Sequence, residues 1–206
     1  MRPPKAVVFD LGKVLLDFDY AIAARNLAPR ISVQLPEVQQ LINQSPLLHQ
    51  YETGLLSTDE FFDRVRKLAG FRGDLAEFAG LFADIFSEIP AMVATHARLR
   101  HAGVPTYLFS NTNDLTIRHI RRHFPFFSQF DGHVLSYEHR AMKPDPRLYE
   151  VLEGVARLRG PDLFYLDDRP ENVAAGLARG WQALVHETPE ASTRALVQAG
   201  LLRPAG

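Results

Sequence analysis

Five polar residues could form one catalytic site, although they lie far apart in the chain. They are Asp10, Ser110, Lys143 and the adjacent pair Asp167 and Asp168. The carboxylates and the hydroxyl follow short, mostly apolar runs, and Lys143 lies just before a predicted helix. A single Asp after a strand is most often a turn former or a helix cap. Because polar groups recur after successive apolar runs, we expect them to share a site.

Three carboxylates at one site repel one another, and burying several like charges is costly. A divalent cation and one ammonium group would remove that conflict. Oxygen-only, carboxylate-rich sites are the kind that Mg²⁺ prefers, so we predict Mg²⁺ as the cofactor. Only 4 of the 23 basic residues are Lys and the others are Arg, so a lysine at position 143 is less easily explained by the general composition of the chain.

These residue types suit a phosphorylated ligand. Lys143 can balance both Asp10 and a bound phosphate, while the Ser110 hydroxyl and the Asn111 backbone can hold phosphate oxygens. Asp10 is the candidate nucleophile, because an ionised carboxylate can attack phosphorus in line once the phosphate charge is neutralised. Water would then hydrolyse the aspartyl-phosphate, which implies hydrolysis of phosphate monoesters.

The hydrophobic pattern predicts elements that could position these residues. Ala6–Phe9 is a continuous apolar run, typical of a central strand buried on both faces of a parallel sheet. After Pro90, predicted strands alternate with helices, which indicates an α/β fold with a doubly wound parallel sheet. The ligand site of such a sheet lies beyond the carboxyl ends of its strands. Further strands are predicted at residues 104–109, 133–136, 163–166 and 183–185.

Between residues 20 and 90 the pattern becomes helical. Helices are predicted at residues 20–28, 35–44, 58–69 and 74–87, with Pro and Gly between them. The third has a start signal at Ser57 and a predicted buried face of Phe61, Phe62, Val65 and Leu68. We interpret this stretch as an inserted helical cap of about four helices without a strand.

The predicted cap covers residues 18–89, and the predicted catalytic core covers residues 1–17 and 90–206. No catalytic cluster is evident within the cap. We expect the cap to select the substrate and to close over it through a loop formed by Tyr51, Glu52, Thr53 and Gly54.

Composition narrows the function classes. A formal net charge of -1 offers no basic surface for nucleic acid or for a membrane. No apolar run approaches the roughly 18 residues that cross a bilayer, and residues 1–5 lack the apolar region of a secretion signal. The absence of Cys excludes thiolate catalysis and thiolate metal sites. We therefore expect a cytoplasmic protein, monomeric or homodimeric, with a small phosphorylated substrate and neither nucleic acid nor membrane as a partner.

Four motifs in this order resemble those of the haloacid dehalogenase superfamily. They are Phe-Asp-Leu-Gly at 9–12, Ser-Asn-Thr-Asn at 110–113, Lys-Pro-Asp-Pro-Arg at 143–147 and Leu-Asp-Asp-Arg-Pro-Glu-Asn-Val at 166–173. The resemblance covers essentially the whole chain and implies a Rossmann-like core with a C1-type helical cap. Three of the motifs are similar to the subgroup of α-D-glucose-1-phosphate phosphatases, which implies a small sugar phosphate such as glucose 1-phosphate as substrate.

The resemblance also implies a role for each matching residue. Asp10 would be the nucleophile, Ser110 the phosphate-binding hydroxyl and Lys143 the stabilising lysine. The implied metal ligands are Asp10, the carbonyl of Gly12, Asp167 and Asp168. The implied substrate-binding positions are Leu11, Gly12, Ser110, Asn111 and Lys143.

Gly12 departs from most phosphatases of the superfamily, which carry there a second Asp that protonates the leaving oxygen. A positioned acid or base is worth about 10² to 10⁴ in rate, and glycine cannot supply one. The glucose-1-phosphatase-like subgroup also has Gly here. One hypothesis is that the site uses leaving groups that need little protonation, such as an anomeric hydroxyl. Another is that Asp17, Asp19, His49 or Glu52 supplies the proton, although solvated or capping roles are the simpler interpretation of these four residues.

Two alternative functions stay open. A 2-haloacid dehalogenase would need neither a metal nor a leaving-group proton, but the adjacent carboxylates at 167 and 168 favour a site built around a cation. The other alternative is a phosphosugar-binding protein whose catalysis is impaired by Gly12. Metal-dependent turnover distinguishes these functions from a phosphatase.

Overall fold

The computed structural model describes residues 3–43 and 45–204, so the predicted helix end at residue 44 and the chain termini lie outside it. Seven strands occur in this part of the chain: β1 (Ala6–Phe9), β2 (Leu16–Phe18), β3 (Phe86–Glu88), β4 (Thr106–Ser110), β5 (Gly132–Leu135), β6 (Leu163–Asp167) and β7 (Gln182–Val185). Five of them form a parallel sheet in the order β5-β4-β1-β6-β7. The predicted α/β fold class is thereby confirmed.

The helices belong to two groups. Those packed with the sheet are α6 (Pro90–His101), α7 (Asp114–His123), α8 (Ser136–His139), α9 (Pro146–Ala156), α10 (Pro170–Ala178) and α11 (Pro189–Gln198). Those between β2 and β3 are α1 (Tyr20–Leu27), α2 (Leu35–Ile42), α3 (Pro46–Glu52), α4 (Thr58–Ala69) and α5 (Leu75–Ala83). No helix among the described residues is both long and apolar enough to cross a membrane.

Strand β1 is the centre of the sheet, and all four of its side chains are fully buried. Val7 and Phe9 pack with residues of α6 and α11, whereas Ala6 and Val8 pack with residues of α9 on the opposite face. This double burial explains the uninterrupted apolar run. The chain adds β4 and β5 on one side of β1 and then β6 and β7 on the other, so the strand order reverses at β1. A ligand site is expected at such a reversal, beyond the carboxyl end of the strand.

The inserted cap is built around stacked aromatic rings. Phe78 is fully buried, and its ring centroid lies 5.3 to 6.2 Å from those of Phe61, Phe62, Phe71 and Phe82. Helix α4 starts with the predicted signal: the Ser57 side chain and the N3 glutamate form a capping box. The cap therefore has its own hydrophobic core, separate from those on the two faces of the sheet.

Three sequence predictions for the cap are wrong. The predicted helix over residues 74–87 ends at Ala83 as α5, and Phe86–Glu88 forms a strand that pairs antiparallel with β2. The pairing forms because the segment that leads from the core into the cap lies beside the segment that returns from the cap to the core. Pro46 is the first residue of an unpredicted helix, α3, whose N-cap is Ser45; proline is well suited to that position. Leu68, which was predicted to lie on the buried face of α4, is 60% exposed, and the last buried residue of this face is Ala69.

Candidate active site

Asp10 directly follows β1, between the ends of β4 and β6. Its backbone N–H donates to the carbonyl of Leu166 at 2.9 Å, which continues the sheet pairing by one residue. The Leu11 N–H donates to Oδ1 of Asp10 at 2.7 Å. The side chain of Leu11 is 2% exposed and belongs to the core, so this position contributes its backbone to the site. The carboxyl group of Asp10 is thus held at the edge of the sheet, where it borders a cavity.

Lys143 joins two of the predicted carboxylates. Its Nζ lies 3.0 Å from Oδ1 of Asp10 and 2.6 Å from Oδ2 of Asp167, and it donates to the Phe109 carbonyl at 2.7 Å. These three contacts use all three ammonium protons. Burial disfavours the charged ammonium, but the two carboxylates outweigh this effect and raise the pKa of Lys143. The lysine is therefore a fixed, permanently charged counter-ion.

Asn111 holds the segment that carries Lys143. Its Oδ1 accepts from the Lys143 N–H at 2.7 Å, and its Nδ2 donates to the Lys143 carbonyl at 2.9 Å. The amide side chain is used for positioning, which leaves the backbone of Asn111 for a ligand. Ser110, at the end of β4, is 3% exposed and lines the cavity beside Asn111.

Asp167 and Asp168 have different surroundings although they are adjacent. Asp167 is fully buried and accepts hydrogen bonds from Lys143, the Tyr165 hydroxyl, the Arg169 N–H and the Asn172 amide. Burial alone would raise the pKa of Asp167, but Lys143 and these donors lower it below its usual value. Asp168 is partly exposed and lines the cavity, and burial and the Asp167 charge raise its pKa.

The charges of this cluster do not balance without a cation. Asp10, Asp167 and Asp168 each offer a carboxylate oxygen, and these atoms lie within 4.8 Å of one another, while Lys143 supplies one positive charge. Burial raises the pKa of Asp10 to about 7. The positive charge of Lys143 acts in the opposite direction, whereas the charges of Asp167 and Asp168 raise this pKa further. Crowded carboxylate oxygens that lack positive charge are a donor set that fits a divalent cation such as Mg²⁺.

A cavity of about 460 Å³ separates the core from the cap. We call its core side, formed by Asp10, Ser110, Asn111, Lys143 and Asp168, the core wall. We call the part of its lining contributed by the cap and its connecting strands, formed by Phe18, Tyr20, Leu48, Glu52 and Phe86, the cap wall. Leu11 and Gly12 also line the cavity, so all of the predicted site residues except the deeper Asp167 border one space.

The segment that the sequence suggested as a closing loop is instead the end of helix α3 and a turn docked on the core. The Ser136 hydroxyl donates to the Glu52 carbonyl at 2.6 Å, and the Leu115 N–H donates to the Tyr51 hydroxyl at 3.1 Å. A Cβ on Gly54 would collide with the Tyr137 carbonyl, so only glycine permits this approach. Cap and core therefore meet directly beside the cavity.

Of the four residues suggested as proton donors, one faces the cavity. Asp17 is an exposed ion-pair partner of Lys13, Asp19 caps helix α1, and His49 is exposed. Glu52 lies in the cap wall. Among the residues that sequence reasoning missed, Tyr165 had a usable signal, because it stands two positions before Asp167 on the same face of β6.

Curated relatives with stated activities align over most of the chain. A sesquiterpene phosphatase of Aspergillus oryzae is 26% identical over 192 residues, covering 92% of each protein. A D-ribitol-5-phosphate phosphatase of Bacteroides thetaiotaomicron is 23% identical over 192 residues, covering 89% of this chain and 92% of that enzyme. The chain is thus similar over nearly its full length to two phosphatases.

The chain also matches a solved structure in its fold and a family model in its sequence. A haloacid dehalogenase family enzyme of Bacteroides thetaiotaomicron, crystallised with magnesium and inorganic phosphate, superimposes with a TM-score of 0.78 at 22% identity, covering 88% of this chain and 93% of that one. The family model described as haloacid dehalogenase-like hydrolase matches residues 4–180. This match spans strands β1 to β6, the cap and every residue of the cluster, and it shows that the chain belongs to the haloacid dehalogenase-like hydrolases.

Proposed function

We propose that the chain is an Mg²⁺-dependent phosphatase that hydrolyses small phosphate monoesters through an aspartyl-phosphate on Asp10. The observation that carries this proposal is the buried Lys143 ammonium, held between Asp10 and Asp167 beside a cavity that Asp168 also borders. A fixed positive charge next to a carboxylate at the edge of a parallel sheet suits a dianionic ligand better than a neutral one.

The residues of the core wall could divide the work as follows. Asp10 attacks phosphorus, and the bond to the leaving oxygen breaks in line with that attack. Lys143 keeps Asp10 ionised and offsets charge on the phosphate, while the Ser110 hydroxyl and the Asn111 backbone hold its oxygens. Water then attacks phosphorus, the bond to Asp10 breaks, and inorganic phosphate leaves.

The metal would be held by the Asp10 and Asp168 carboxylates and the Gly12 carbonyl. When bound, Mg²⁺ supplies positive charge to the phosphate oxygens. We give Asp167 a different role from that of a direct ligand, because four donors already occupy its carboxylate. Asp167 would instead orient the ammonium group of Lys143.

The substrate's organic part must fit between the two walls. The cap wall combines the aromatic rings of Phe18, Tyr20 and Phe86 with the carboxyl group of Glu52. A cavity of about 460 Å³ accommodates a monosaccharide or polyol carrying one phosphate. We propose a sugar or polyol phosphate, with glucose 1-phosphate as the first compound to test.

The test is phosphate release by the wild type and by Asp10→Asn, each with Mg²⁺ or with EDTA. The panel contains glucose 1-phosphate, ribitol 5-phosphate, a terpenyl phosphate and p-nitrophenyl phosphate, because the two relatives act on a polyol and a terpenoid phosphate by name. We expect Mg²⁺-dependent release from at least one ester and a loss of at least about 10³-fold in Asp10→Asn. The control is Asp63→Asn, on the exposed side of α4.

Two results would contradict the proposal. One is metal-independent turnover, above all of a 2-haloacid, which would point to attack on carbon. The other is tight binding of sugar phosphates without release of phosphate from any of the esters, which would indicate a binding protein.

A further inference from the structure

In-line attack places the leaving oxygen on the side of phosphorus opposite Asp10. Asp10 lies in the core wall, so the leaving oxygen faces the cap wall. An aliphatic alkoxide is a poor leaving group unless a proton reaches it as the bond breaks. The donor must therefore be sought among cavity-lining groups outside the core wall.

Among the residues that the structure describes, four ionisable ones line the cavity outside the core wall: Lys13, Tyr20, Glu52 and Arg169. The Lys13 ammonium is engaged by the Asp17 carboxylate and the Phe18 carbonyl. Arg169 pairs with Glu171 at 2.6 Å, and a guanidinium does not give up its proton in a protein. Burial and the neighbouring Glu52 raise the pKa of Tyr20 well above its ordinary value. Glu52 is the group that can change protonation state near neutral pH.

Position 12 cannot supply the donor in this fold. A Cβ on Gly12 would lie 2.7 Å from Cε1 of Phe18. The Phe18 ring is held between Tyr20 and Phe86, with centroid distances of 5.7 and 5.8 Å. The space beside the nucleophile is thus filled by the cap wall, and any side chain at this position would have to displace an aromatic ring.

Glu52 is fixed at the end of α3, where its carbonyl accepts from Ser136 of the core. Its Oε1 accepts a long hydrogen bond of 3.4 Å from the Tyr20 hydroxyl. Burial raises the pKa of Glu52 to about 7, although Tyr20 and the nearby charge of Arg169 act in the opposite direction. The carboxyl group therefore exchanges its proton in the range where it could serve as both acid and base.

We infer that Glu52 is the general acid and base of the reaction, acting from the cap in place of a side chain at position 12. This inference rests on the proposed phosphatase function and extends it. As Asp10 bonds to phosphorus and the ester bond breaks, the electron pair stays on the leaving oxygen, which takes the Glu52 proton and departs as an alcohol. The resulting carboxylate then removes a proton from water as that water attacks the aspartyl-phosphate, which releases phosphate and restores both carboxyl groups.

The experiment compares two esters that differ in their need for a proton. In the wild type and in Glu52→Gln, the rate of the first turnover, in which the alcohol leaves and Asp10 is phosphorylated, is measured for two esters. They are p-nitrophenyl phosphate, whose phenolate leaves unaided, and glycerol 2-phosphate, whose alkoxide does not. We expect Glu52→Gln to reduce the first-turnover rate for the aliphatic ester by about 10²-fold or more and to change the first release of p-nitrophenol far less. The later hydrolysis of the aspartyl-phosphate should slow to the same extent for both esters. The alkaline limb of the pH profile for the aliphatic ester should also disappear.

Two further variants separate proton transfer from structure. Glu52→Asp keeps a carboxyl group and should recover part of the activity toward the aliphatic ester. Glu37→Gln removes an exposed carboxyl group from helix α2 and should behave as the wild type with both esters. Thermal unfolding of each variant shows whether the fold is retained.

Equal losses of the first-turnover rate for the two esters in Glu52→Gln, or an unchanged pH profile, would overturn the inference. Wild-type protein that releases phosphate from both esters, together with a Glu52→Gln variant that hydrolyses glycerol 2-phosphate as fast as the wild type, would overturn it while leaving the proposed function intact. Wild-type protein that hydrolyses no ester of any kind would overturn the proposed function itself, and this inference with it.

Discussion

The two walls of the cavity are stabilised by different forces. The core wall is polar and charged, and its side chains follow strands of one sheet and bond to one another, as in the contact of Lys143 with Asp10 and Asp167. The cap wall is mostly aromatic and rests on the phenylalanine cluster around Phe78. The burial of apolar side chains stabilises a structure without requiring a particular orientation. A buried ion pair is different, because the loss of one partner leaves the other charge uncompensated. Changes in the core wall should therefore affect chemistry, and changes beneath the cap wall should affect mainly stability.

The largest effect is expected for Lys143→Met. This change leaves Asp10 and Asp167 buried without their counter-ion, which costs about 3 to 5 kcal/mol of unfolding free energy. It should also lower kcat by about 10²- to 10³-fold, because a fixed charge at the phosphate is lost. Urea unfolding and phosphate release measure the two effects. The control Lys67→Met, at an exposed position of α4, should leave both quantities nearly unchanged, and a stable Lys143→Met enzyme would contradict this view of the core wall.

Phe78→Ala tests the other side of the comparison. Removing a fully buried ring from the centre of the cap cluster should cost about 3 to 5 kcal/mol of unfolding free energy. Because Phe78 does not line the cavity, kcat of the folded enzyme should fall far less than in Lys143→Met. A loss of kcat as large as that of Lys143→Met would show that cap packing and catalysis are not separable.

Acid should weaken the core through His96, a buried residue of α6 that stacks on Phe130. Burial lowers the pKa of His96 to about 4. Between that pH and about 6.5, the unfolded chain binds a proton that the folded chain does not, so stability rises with pH across this window. The contribution is complete above the window and is lost as the pH falls through it, by at most about 3 kcal/mol.

Unfolding free energies measured between pH 4 and 7 in wild type, His96→Leu and His101→Gln test this expectation. The slope should decrease in His96→Leu and persist in His101→Gln, which changes an exposed residue of the same helix. Equal slopes in wild type and His96→Leu would assign the acid sensitivity to other groups.

The smallest effect is expected at Leu68. Its side chain is 60% exposed, so Leu68→Ser should change the unfolding free energy by less than about 0.5 kcal/mol. Phe62→Ser, on the same helix and 7% exposed, should cost several times more. A large loss at Leu68 would mean that this face of α4 is covered by something in solution, as a homodimer would require.

Local patterns were sufficient for much of the fold. The uninterrupted run in β1, the start of α4 at Ser57 and the alternation after Pro90 are all confirmed, because each depends on neighbours along the chain. The prediction that polar residues meet at one sheet edge is borne out in the geometry around Asp10 and Lys143. It succeeded because parallel strands must end at the same edge.

The failures occur where distant segments meet. Phe86–Glu88 resembles the end of a helix until its pairing with Leu16–Phe18 is known. The sequence predicted a phosphate-binding role for the backbone of Asn111 and no role for its side chain, which holds the segment of Lys143. No local pattern contains such contacts, since each is decided by a partner many residues away.

The sequence by itself therefore determined which groups are available for chemistry: a carboxylate after the first strand, a hydroxyl, a lysine and an acidic pair, in the order of a hydrolase family. Only the tertiary structure decided how they are used. It places the Phe18 ring against Gly12 and brings Glu52 into the lining of the cavity. The physical reason is that residue type sets what a group can do, whereas its pKa and its partners depend on the elements that the fold packs around it.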